Sequence, residues 1–369
     1  FRMRVSIPQE FYRSKQSRKS PLKRRTSHER IAGKQNNVNT ALVVNPKSHG
    51  GQTSKDWDSI FSKIKDILGD NLEVAFCKKS DDGCDIARDF LKKGYNKIIA
   101  IGGDGTLNAV ARGFFEEPVG IYSHGTGHSG GSVGTYKVIN PDAVLGIVPS
   151  GTRNVLAKSL GLPEGILECC KVFSSGEPRK LDVIQVIATN QEDHSSTVNG
   201  VLLNAAEMGL AAEIIDRSKK VRKVVNNRLV STFTSIASTL PTYQSNECEI
   251  SIEGSRKKFA VNMTMGVVAN GQFLGGGFKI APGANMSDGL LDLVILKDSG
   301  SLKMLDELIN MKAGEYNQED KIIYKQAKKV KLISKERDVT VTVDGEPIGI
   351  LPATFEVIPH ALTVKMQNE

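Results

Sequence analysis

The sequence predicts an α/β fold in which an N-terminal, doubly wound parallel-sheet domain precedes a C-terminal, mainly antiparallel β-sandwich. Three observations support this prediction. From residue 41, short apolar segments alternate with helix-patterned segments, as in parallel strands joined by crossover helices. From about residue 181, β-rich segments follow one another with little helix between them. Three early strands are followed by loops of Gly, Ser, Thr and Asn, at the strand ends where parallel sheets bind ligands.

The first half alternates between predicted strands and helices. The strand ALVVN precedes a segment with apolar residues at positions 57, 60, 61, 64, 67 and 68, the spacing of one helical face. The strand LEVAF, a helix that ends at Gly94 and the strand KIIAI come next. After GGDGTLNAVARGFF, the segment VLGIVPSGTRNVLAKSLGL predicts a strand, a turn and a helix. We therefore expect a sheet that is covered on both faces.

The second half contains eight β-rich segments and one helical stretch near residues 212–240. The predicted domain organisation has four parts: a basic, disordered tail at 1–38, an α/β nucleotide-binding domain at 39–180, a β-sandwich at 181–350, and strands at 351–369 that return to the first domain.

The composition is that of an ordinary globular protein, with 39% apolar and 24% charged residues. No apolar run has the roughly 18–20 residues that a membrane span needs, and no secretory signal is recognisable, so we expect a cytoplasmic protein. The five cysteines form no C-x-x-C pair, which predicts free thiols in a reducing compartment.

The formal charge of +8 is concentrated at one end of the chain. Residues 1–34 carry eleven Lys or Arg and two Glu, whereas the remaining residues carry 38 basic and 39 acidic side chains. The tail is either a solvated segment or a docking arm for anionic membrane, worth up to about 1 kcal/mol per basic residue. The neutral body gives no support for nucleic-acid binding.

The stretch IIAIGGDGTLNA, residues 98–109, contains the strongest ligand signal. Glycines at a strand end let backbone N–H groups and a helix N-terminus approach a phosphate. Asp104 would repel a phosphate unless a cation lay between them, so this pattern predicts a magnesium–nucleotide site with Asp104 acting on the metal directly or through water. The alternative is a tight turn in which Asp104 caps a helix.

Two other loops follow strands at the same predicted edge, so we expect all three to form one phosphate-binding rim. This rim is neither a Walker A loop nor a G-x-G-x-x-G fingerprint. The Gly-rich segment 116–140 is predicted to be a mobile surface insertion, or else a flap over the nucleotide. The rim residues are Asn45 and Ser48 in the first loop, Gly102, Gly103 and Gly105 in the second, and Gly151, Thr152 and Asn154 in the third.

The segments VVNPKSHGG, IIAIGGDGTLNAV, GIVPSGTRNVLAKSLGLP, APGANMSDGLLD and VTVDGEP resemble, in order and spacing, the diacylglycerol kinase catalytic superfamily of lipid kinases, which includes sphingosine and ceramide kinases. The resemblance covers residues 41 to about 366. It implies an enzyme that transfers the γ-phosphoryl group of ATP to a lipid hydroxyl with the help of Mg²⁺. By matched position, it implies ATP contacts from Asn45, Pro46, Lys47, Ser48, His49, Gly103, Asp104, Gly105, Thr106, Leu107, Asn108, Ala109 and Thr152.

The resemblance also implies the other roles. Asp344 would be the general base with Glu346 beside it, and Asp288, with backbone carbonyls near Asn285 and Leu290, would hold a magnesium ion. The residues alone favour a D-G hairpin turn at Asp344. The chain departs from the family at Val155, where Asp is frequent, and at Ala211, where an acidic residue is frequent; Glu207 is a candidate replacement.

A lipid kinase must take its substrate from a membrane. The apolar residues Phe114, Phe115, Phe273, Leu274 and Phe278 either contact the bilayer together with the basic tail or belong to the core. The leading hypothesis is an ATP- and magnesium-dependent lipid kinase acting on diacylglycerol or a similar alcohol. The alternatives are a kinase of a soluble acceptor such as NAD and an inactive lipid-binding module. The sequence leaves open whether the protein forms a homodimer.

Overall fold

The computed structural model describes residues 40–48, 51–79, 81–116, 135–221, 234–235, 238–255, 257–275, 277–298, 310, 314 and 321–367. Residues 38–369 form one compact unit. The predicted basic tail, His49 and positions 117–134 of the predicted Gly-rich insertion lie outside the described residues.

Strands and helices alternate up to residue 175, and strands dominate after it. The helices are α1 (Gln52–Lys55), α2 (Trp57–Leu68), α3 (Asp82–Lys92), α4 (Asp104–Arg112), α5 (Val155–Ser159), α6 (Ile166–Ser175) and α7 (Leu210–Val221). The strands are β1 (Thr40–Val44), β2 (Leu72–Phe76), β3 (Lys97–Gly102), β4 (Phe115–Glu116), β5 (Lys137–Val138), β6 (Val144–Pro149), β7 (Glu177–Thr189), β8 (Thr197–Leu202), β9 (Ala205–Gly209), β10 (Asn246–Ile252), β11 (Phe259–Ala269), β12 (Leu291–Lys297), β13 (Ile322–Ala327), β14 (Lys329–Ser334), β15 (Thr340–Val343) and β16 (Glu346–Met366).

The first half is a parallel sheet in the order β2-β1-β3-β6. Leu42, Ile99 and Val148 lie on one face together with Ile64 of α2 and Phe173 of α6. Their immediate neighbours along the strands face the other way, because successive strand residues point to opposite faces.

The opposite face of the parallel sheet is covered by α3 and α4. Val43 and Ala100 share a buried cluster with Phe90 of α3 and with Leu107 and Val110 of α4. Helices therefore cover both faces, which confirms the predicted doubly wound arrangement. Each fully buried Leu, Val or Phe in these layers contributes about 1.5–3 kcal/mol relative to an exposed position.

The second half is mainly antiparallel, as predicted. β10 pairs with β11 and β14, β11 pairs with β9 and β12, and β12 pairs with β13. A second buried cluster includes Ile250, Met263 and Leu293 of β10, β11 and β12, together with Val341 of β15 and Phe355 of β16. The β-rich pattern after residue 181 thus corresponds to a separate layer of core.

The long strand β16 connects the two halves of the sheet. Its first part pairs with β14, β15 and the distal part of β7, whereas Thr363 and Val364 pair in parallel with β6. β7 passes through position 180 without interruption, since it pairs with β16 from Glu177 to Thr189. The domain boundaries remain predictions. The Ser159 hydroxyl at the end of α5 donates to Asn204 Oδ1 at 2.8 Å, which joins the segment after β6 to the strands of the second half.

All five cysteines are free thiols, as predicted. Burial raises the pKa of Cys77, Cys169 and Cys248 to about 11, so these thiols stay protonated and are poor nucleophiles. Within the described ranges, no helix combines the length and the apolar character that a bilayer crossing requires.

Candidate active site

Three turns follow the carboxyl ends of β1, β3 and β6, and they contact one another. We call residues 45–48 the first turn, residues 102–104 the second turn and residues 150–154 the third turn. The Asn45 amide Nδ2 donates to the Thr106 hydroxyl at 2.8 Å, which joins the first turn to the start of α4. The Ser150 hydroxyl donates to the Ser48 hydroxyl at 2.8 Å, which joins the third turn to the first. The predicted rim is therefore one contiguous surface.

The second and third turns touch through backbone alone. A side-chain carbon on Gly151 would overlap the Cα atom of Gly103, and one on Gly103 would lie 3.2 Å from the Cα atom of Gly151. Position 151 needs glycine for this close approach, whereas a side chain at position 103 would require only a small shift of the neighbouring backbone. Gly102, the last residue of β3, is also constrained to glycine, because a side-chain carbon there would collide with the Thr106 side chain. Glycine thus brings two loops close enough to share one ligand.

Two amide oxygens beside these turns have unmet hydrogen-bonding capacity. Within the described residues, Oδ1 of Asn108 and Oδ1 of Asn154 are buried and accept no hydrogen bond. Asn154 adopts the left-handed conformation with φ 51°, which Asn tolerates better than most residues, and its Nδ2 donates to the Gly151 carbonyl at 3.2 Å. Buried acceptors without donors indicate a missing ligand or water, so the site fits a hydrated cation or a nucleotide hydroxyl.

Asp104 lies at the first position of α4 but caps a different helix. Its Oδ1 atom accepts from the backbone N–H of Val155 at 2.7 Å and from that of Leu156 at 3.4 Å, both in the first turn of α5. Position 155, where the family often has Asp, contributes here only its backbone N–H to Asp104. Oδ2 accepts no hydrogen bond from the part of the chain that the structure describes, so the cap leaves one oxygen of this carboxylate without a donor. The cap and the predicted metal role are therefore compatible.

Replacing Asp104 by Ala is expected to lower the free energy of unfolding by about 0.5–2 kcal/mol, because α5 loses its N-terminal acceptor. Urea unfolding monitored by circular dichroism measures this change. The control is Asp56→Ala, since Asp56 occupies the N-cap of α2 without a side-chain cap hydrogen bond. Equal unfolding midpoints for the two variants would contradict the capping role.

Asp344 occupies a two-residue hairpin between β15 and β16. Asp344 and Gly345 both have positive φ, at 50° and 85°, as a type I′ turn requires. The hairpin alternative is thus correct as a description of the backbone. The side chain does more than make a turn, because it reaches back into the segment between β8 and β9.

Three backbone N–H groups hold the Asp344 carboxylate. Oδ2 accepts from Leu203 at 3.0 Å, and Oδ1 accepts from Asn204 at 2.9 Å and from Ala205 at 3.0 Å. Burial raises the pKa of Asp344 to about 6, the three N–H groups oppose this rise, and the negative charge of Asp104 adds to it. The two predicted catalytic carboxylates are thus in electrostatic contact, although they come from opposite halves of the chain.

The remaining predicted ATP residues lie around the three turns in different environments. Lys47, Gly105 and Thr152 are exposed, whereas Pro46 is half-buried. Leu107 is fully buried in the core, so only its backbone could reach a ligand. Glu346 begins β16 and is exposed.

Sequence reasoning considered Glu207 only as a replacement for the acidic residue absent at Ala211, and the structure places it as a buried carboxyl group beside Asp344. It lies on β9 with 4% of its surface exposed. Burial, the largest effect, and the charge of Asp344 raise its pKa to about 8, whereas Thr342 and Arg153 act in the opposite direction. The sequence signal that could have identified Glu207 was a single Glu between Ala, Met and Gly residues in a predicted strand. Ala211, which stands where the family often has an acidic residue, packs in an apolar cluster with Leu210.

The predicted magnesium loop is ordered by its own hydrogen bonds. Asp288 Oδ1 accepts from the Leu290 N–H at 2.9 Å, and Asn285 Oδ1 accepts from the Ser287 N–H at 3.1 Å. The Gly289 N–H donates to the buried Asp182 carboxylate at 2.6 Å, which fixes the loop to β7. No group of three or more His, Cys, Asp or Glu suited to a metal exists among the described residues. A magnesium ion here would rest on Asp288 with carbonyls and water, a donor set that Mg²⁺ accepts.

Two of the apolar residues considered for membrane contact belong to the core. Phe114 and Phe115 are 1% and 0% exposed and pack between the parallel sheet and α3, which settles the choice for these residues. Leu274 and Phe278 are half-buried against the cluster near α7. Among the described residues, Phe76 at the end of β2 is the large apolar residue whose side chain is exposed.

Two family models match successive parts of the chain. The family described as "Diacylglycerol kinase catalytic domain" matches residues 39–186. The family described as "YegS C-terminal NAD kinase beta sandwich-like domain" matches residues 205–366. The chain therefore contains a diacylglycerol kinase catalytic domain followed by a YegS C-terminal domain, which confirms the resemblance in the sequence.

Similar proteins cover most of the chain. A Bacillus subtilis (strain 168) protein named "Diacylglycerol kinase" is 27% identical over 331 residues, which are 89% of this chain and 96% of that protein. A Chromohalobacter salexigens protein named "Probable lipid kinase YegS-like" is 26% identical over 309 residues, which are 84% of this chain and 86% of that protein. The crystal structure of a diacylglycerol kinase from Bacillus anthracis strain Sterne shares the fold, with a TM-score of 0.61 at 18% identity and coverage of 89% and 97% of the two chains.

Proposed function

We propose that the protein transfers the γ-phosphoryl group of ATP, with Mg²⁺, to the hydroxyl of diacylglycerol or a similar lipid. The observation that carries this proposal is the meeting of three strand-end turns, two of which contain glycine, beside Asp104 and Asp344. Phosphoryl transfer depends mainly on positioning and charge neutralisation, together with one group that takes the hydroxyl proton. The three turns provide the positioning, and the Asp344 carboxylate is the group that takes the hydroxyl proton.

The chain's own residues act in sequence. Backbone N–H groups of the second and third turns bind phosphate oxygens, and the N-terminus of α4 adds its positive end. Asp104 Oδ2 and the buried amide oxygens of Asn108 and Asn154 are the groups that would hold hydrated Mg²⁺, whose charge offsets that of the phosphates. Asp344 takes the proton from the lipid hydroxyl as the new O–P bond forms and the bond between the β- and γ-phosphates breaks, which releases ADP.

The lipid acceptor places the reaction at a membrane surface. Peripheral association through the basic segment 1–38 is part of the proposal, and it rests on the charge of that segment alone. A cytoplasmic location and a homodimer remain predictions.

Phosphate transfer into a lipid panel tests the proposal. The protein is incubated with γ-labelled ATP, Mg²⁺ and mixed micelles that contain diacylglycerol, monoacylglycerol, ceramide or sphingosine, with NAD in a parallel aqueous reaction. Label in the extracted lipid is the expected result. Label confined to the aqueous product would favour the soluble-acceptor alternative, and vesicle binding without any transfer would favour the inactive module.

The pH dependence of the reaction should reflect the ionisation of the Asp344 carboxyl group. Because the proton acceptor must be ionised and burial raises the pKa of Asp344 to about 6, kcat/KM is expected to fall about tenfold per pH unit below that value. Initial rates between about pH 5 and pH 7 at saturating Mg-ATP measure this limb. A profile that stays flat over that range would exclude Asp344 as the base.

A further inference from the structure

Glu207 lies at the centre of the sheet, directly beside the strand that leads to Asp344. In the strand register, Glu207 of β9 pairs with Thr342 of β15 on one side and with Val267 of β11 on the other. Thr342 precedes Asp344 by two residues, so a contact between Glu207 and Thr342 acts on the start of the Asp344 hairpin.

The hydrogen-bond geometry at Thr342 is satisfied most fully by a protonated Glu207. The Thr342 hydroxyl oxygen lies 2.8 Å from Glu207 Oε2 and 3.1 Å from the Glu207 carbonyl oxygen. A hydroxyl has one proton, and both neighbours are acceptors when the carboxyl group is ionised. The two acceptors would then have to share that one proton. A neutral carboxyl group donates to Thr342, Thr342 donates to the carbonyl, and both contacts are satisfied.

The charges around Glu207 agree with a neutral side chain. Among the described residues, the charged groups that act on it are Asp344, which opposes ionisation, and Arg153 of the third turn, which favours it. Arg153 makes no ion pair with Glu207 within the described ranges. The strands on either side contribute Val267 and Thr342, and α7 contributes Glu213, whose charge acts on Tyr243. Burial outweighs Arg153 and raises the pKa of Glu207 to about 8.

We propose that Glu207 is a positioning residue that works as a neutral carboxylic acid, donating its proton to Thr342 and thereby fixing β15 and the Asp344 hairpin against β9. The inference rests on the proposed phosphotransfer, in which Asp344 must stand at a defined distance from the lipid hydroxyl. Ionisation of Glu207 removes the donor to Thr342 and places a second negative charge beside Asp344 and the phosphates. Activity is therefore lost on the alkaline side.

Steady-state kinetics of Glu207 variants from acid to alkaline pH test the role. Wild-type kcat/KM is expected to fall about tenfold per pH unit above the pKa of Glu207. Glu207→Ala is expected to lower kcat/KM at neutral pH by about tenfold, the effect of losing one buried hydrogen bond. Glu207→Gln, whose amide donates to Thr342, is expected to recover most of that loss and to lack the alkaline fall. The control is Glu253→Gln, an exposed Glu that should keep the wild-type profile.

Two kinetic outcomes would overturn the inference. A Glu207→Gln variant as impaired as Glu207→Ala would show that the ionised form is required, and an unchanged alkaline fall in Glu207→Gln would assign that limb to another group. Should the Glu207 variants not fold, Thr342→Ser and Thr342→Val replace them, with the hydroxyl-bearing variant expected to be the more active. Equal activity of these two would also overturn the inference.

Infrared spectroscopy separates this inference from the proposed function because it needs no substrate. The difference spectrum between wild-type protein and Glu207→Gln at neutral pH is expected to contain the C=O stretch of a protonated carboxyl group, which disappears at alkaline pH. Absence of that band would overturn the neutral acid even if lipid is phosphorylated. Presence of the band without any lipid phosphorylation would refute only the proposed function.

Discussion

Replacing Asp344 by Asn is expected to lower the rate of lipid phosphorylation by about 10²–10⁴-fold, the range that a general base contributes. The amide cannot take the hydroxyl proton, whereas the hairpin that carries it keeps nearly the same shape. The measurement is initial-rate transfer of labelled phosphate into lipid micelles at saturating Mg-ATP, at a pH above the pKa of Asp344, where the wild-type carboxylate is ionised.

The Asn variant also has a structural effect that must be separated from catalysis. Three N–H groups point at the Asp344 carboxylate, so the amide NH₂ of Asn faces at least one donor and leaves it without an acceptor. A loss of stability of about 1–3 kcal/mol is expected from this mismatch. Urea unfolding of the variant measures that loss, and rates are compared only where the variant is fully folded.

The matched control is Asp338→Asn. Asp338 precedes β15, is exposed and pairs with His194 at 3.5 Å, so its replacement should change neither stability nor rate appreciably. Comparable phosphorylation rates for wild-type protein, Asp338→Asn and Asp344→Asn would refute the base assignment.

Replacing Gly151 by Ala is expected to abolish tight ATP binding and to destabilise the fold by about 1–3 kcal/mol. The added carbon would overlap the Cα atom of Gly103 and lie 2.8 Å from Asn154 Oδ1. Backbone cannot swing aside as a flexible side chain does, so the second and third turns must separate. Donors that converge on one polyphosphate would then point to different places, and the KM for ATP should rise more than the lipid KM.

The control for this substitution is Gly200→Ala. Gly200 lies in β8, and an added carbon would make an ordinary contact of 3.6 Å with Ile348 Cδ1. Isothermal titration calorimetry with Mg-ATP and chemical unfolding are run on both variants. An ATP affinity of Gly151→Ala equal to that of Gly200→Ala would show that the nucleotide does not bind across the two turns.

Local patterns predicted the parts of the fold that depend on short-range chemistry. The apolar spacing from position 57 to position 68 predicted α2, because that spacing forms one face of a helix that packs on a sheet. Glycines at the ends of β3 and β6 predicted backbone N–H groups that a phosphate can approach, whereas the contact between Gly103 and Gly151 came only from the structure. The D-G pair at Asp344 predicted a hairpin turn, because few other residues tolerate the positive φ that this turn requires.

Partners distant in sequence were not predictable in the same way. Asp104 was assigned either to a metal or to a helix cap, but the capped helix begins at Val155, on the neighbouring strand-end turn. Phe114 and Phe115 follow a helix and precede glycine-rich sequence, a context that fits an exposed loop equally well, and they are core residues. Glu207 became a site residue only because β9 lies between β11 and β15.

By itself, the sequence predicted the class of fold, the resemblance to a family and a set of candidate phosphate-binding residues, since periodicity, glycine and strand-end position act over a few residues at a time. The tertiary structure decided how these groups act together: which turns touch, which helix Asp104 caps and which carboxyl group lies beside Asp344. Burial and charge sum over groups that meet only when β7 and β16 join the two halves. The protonation states of Asp344 and Glu207 are for that reason properties of the folded chain rather than of either local motif.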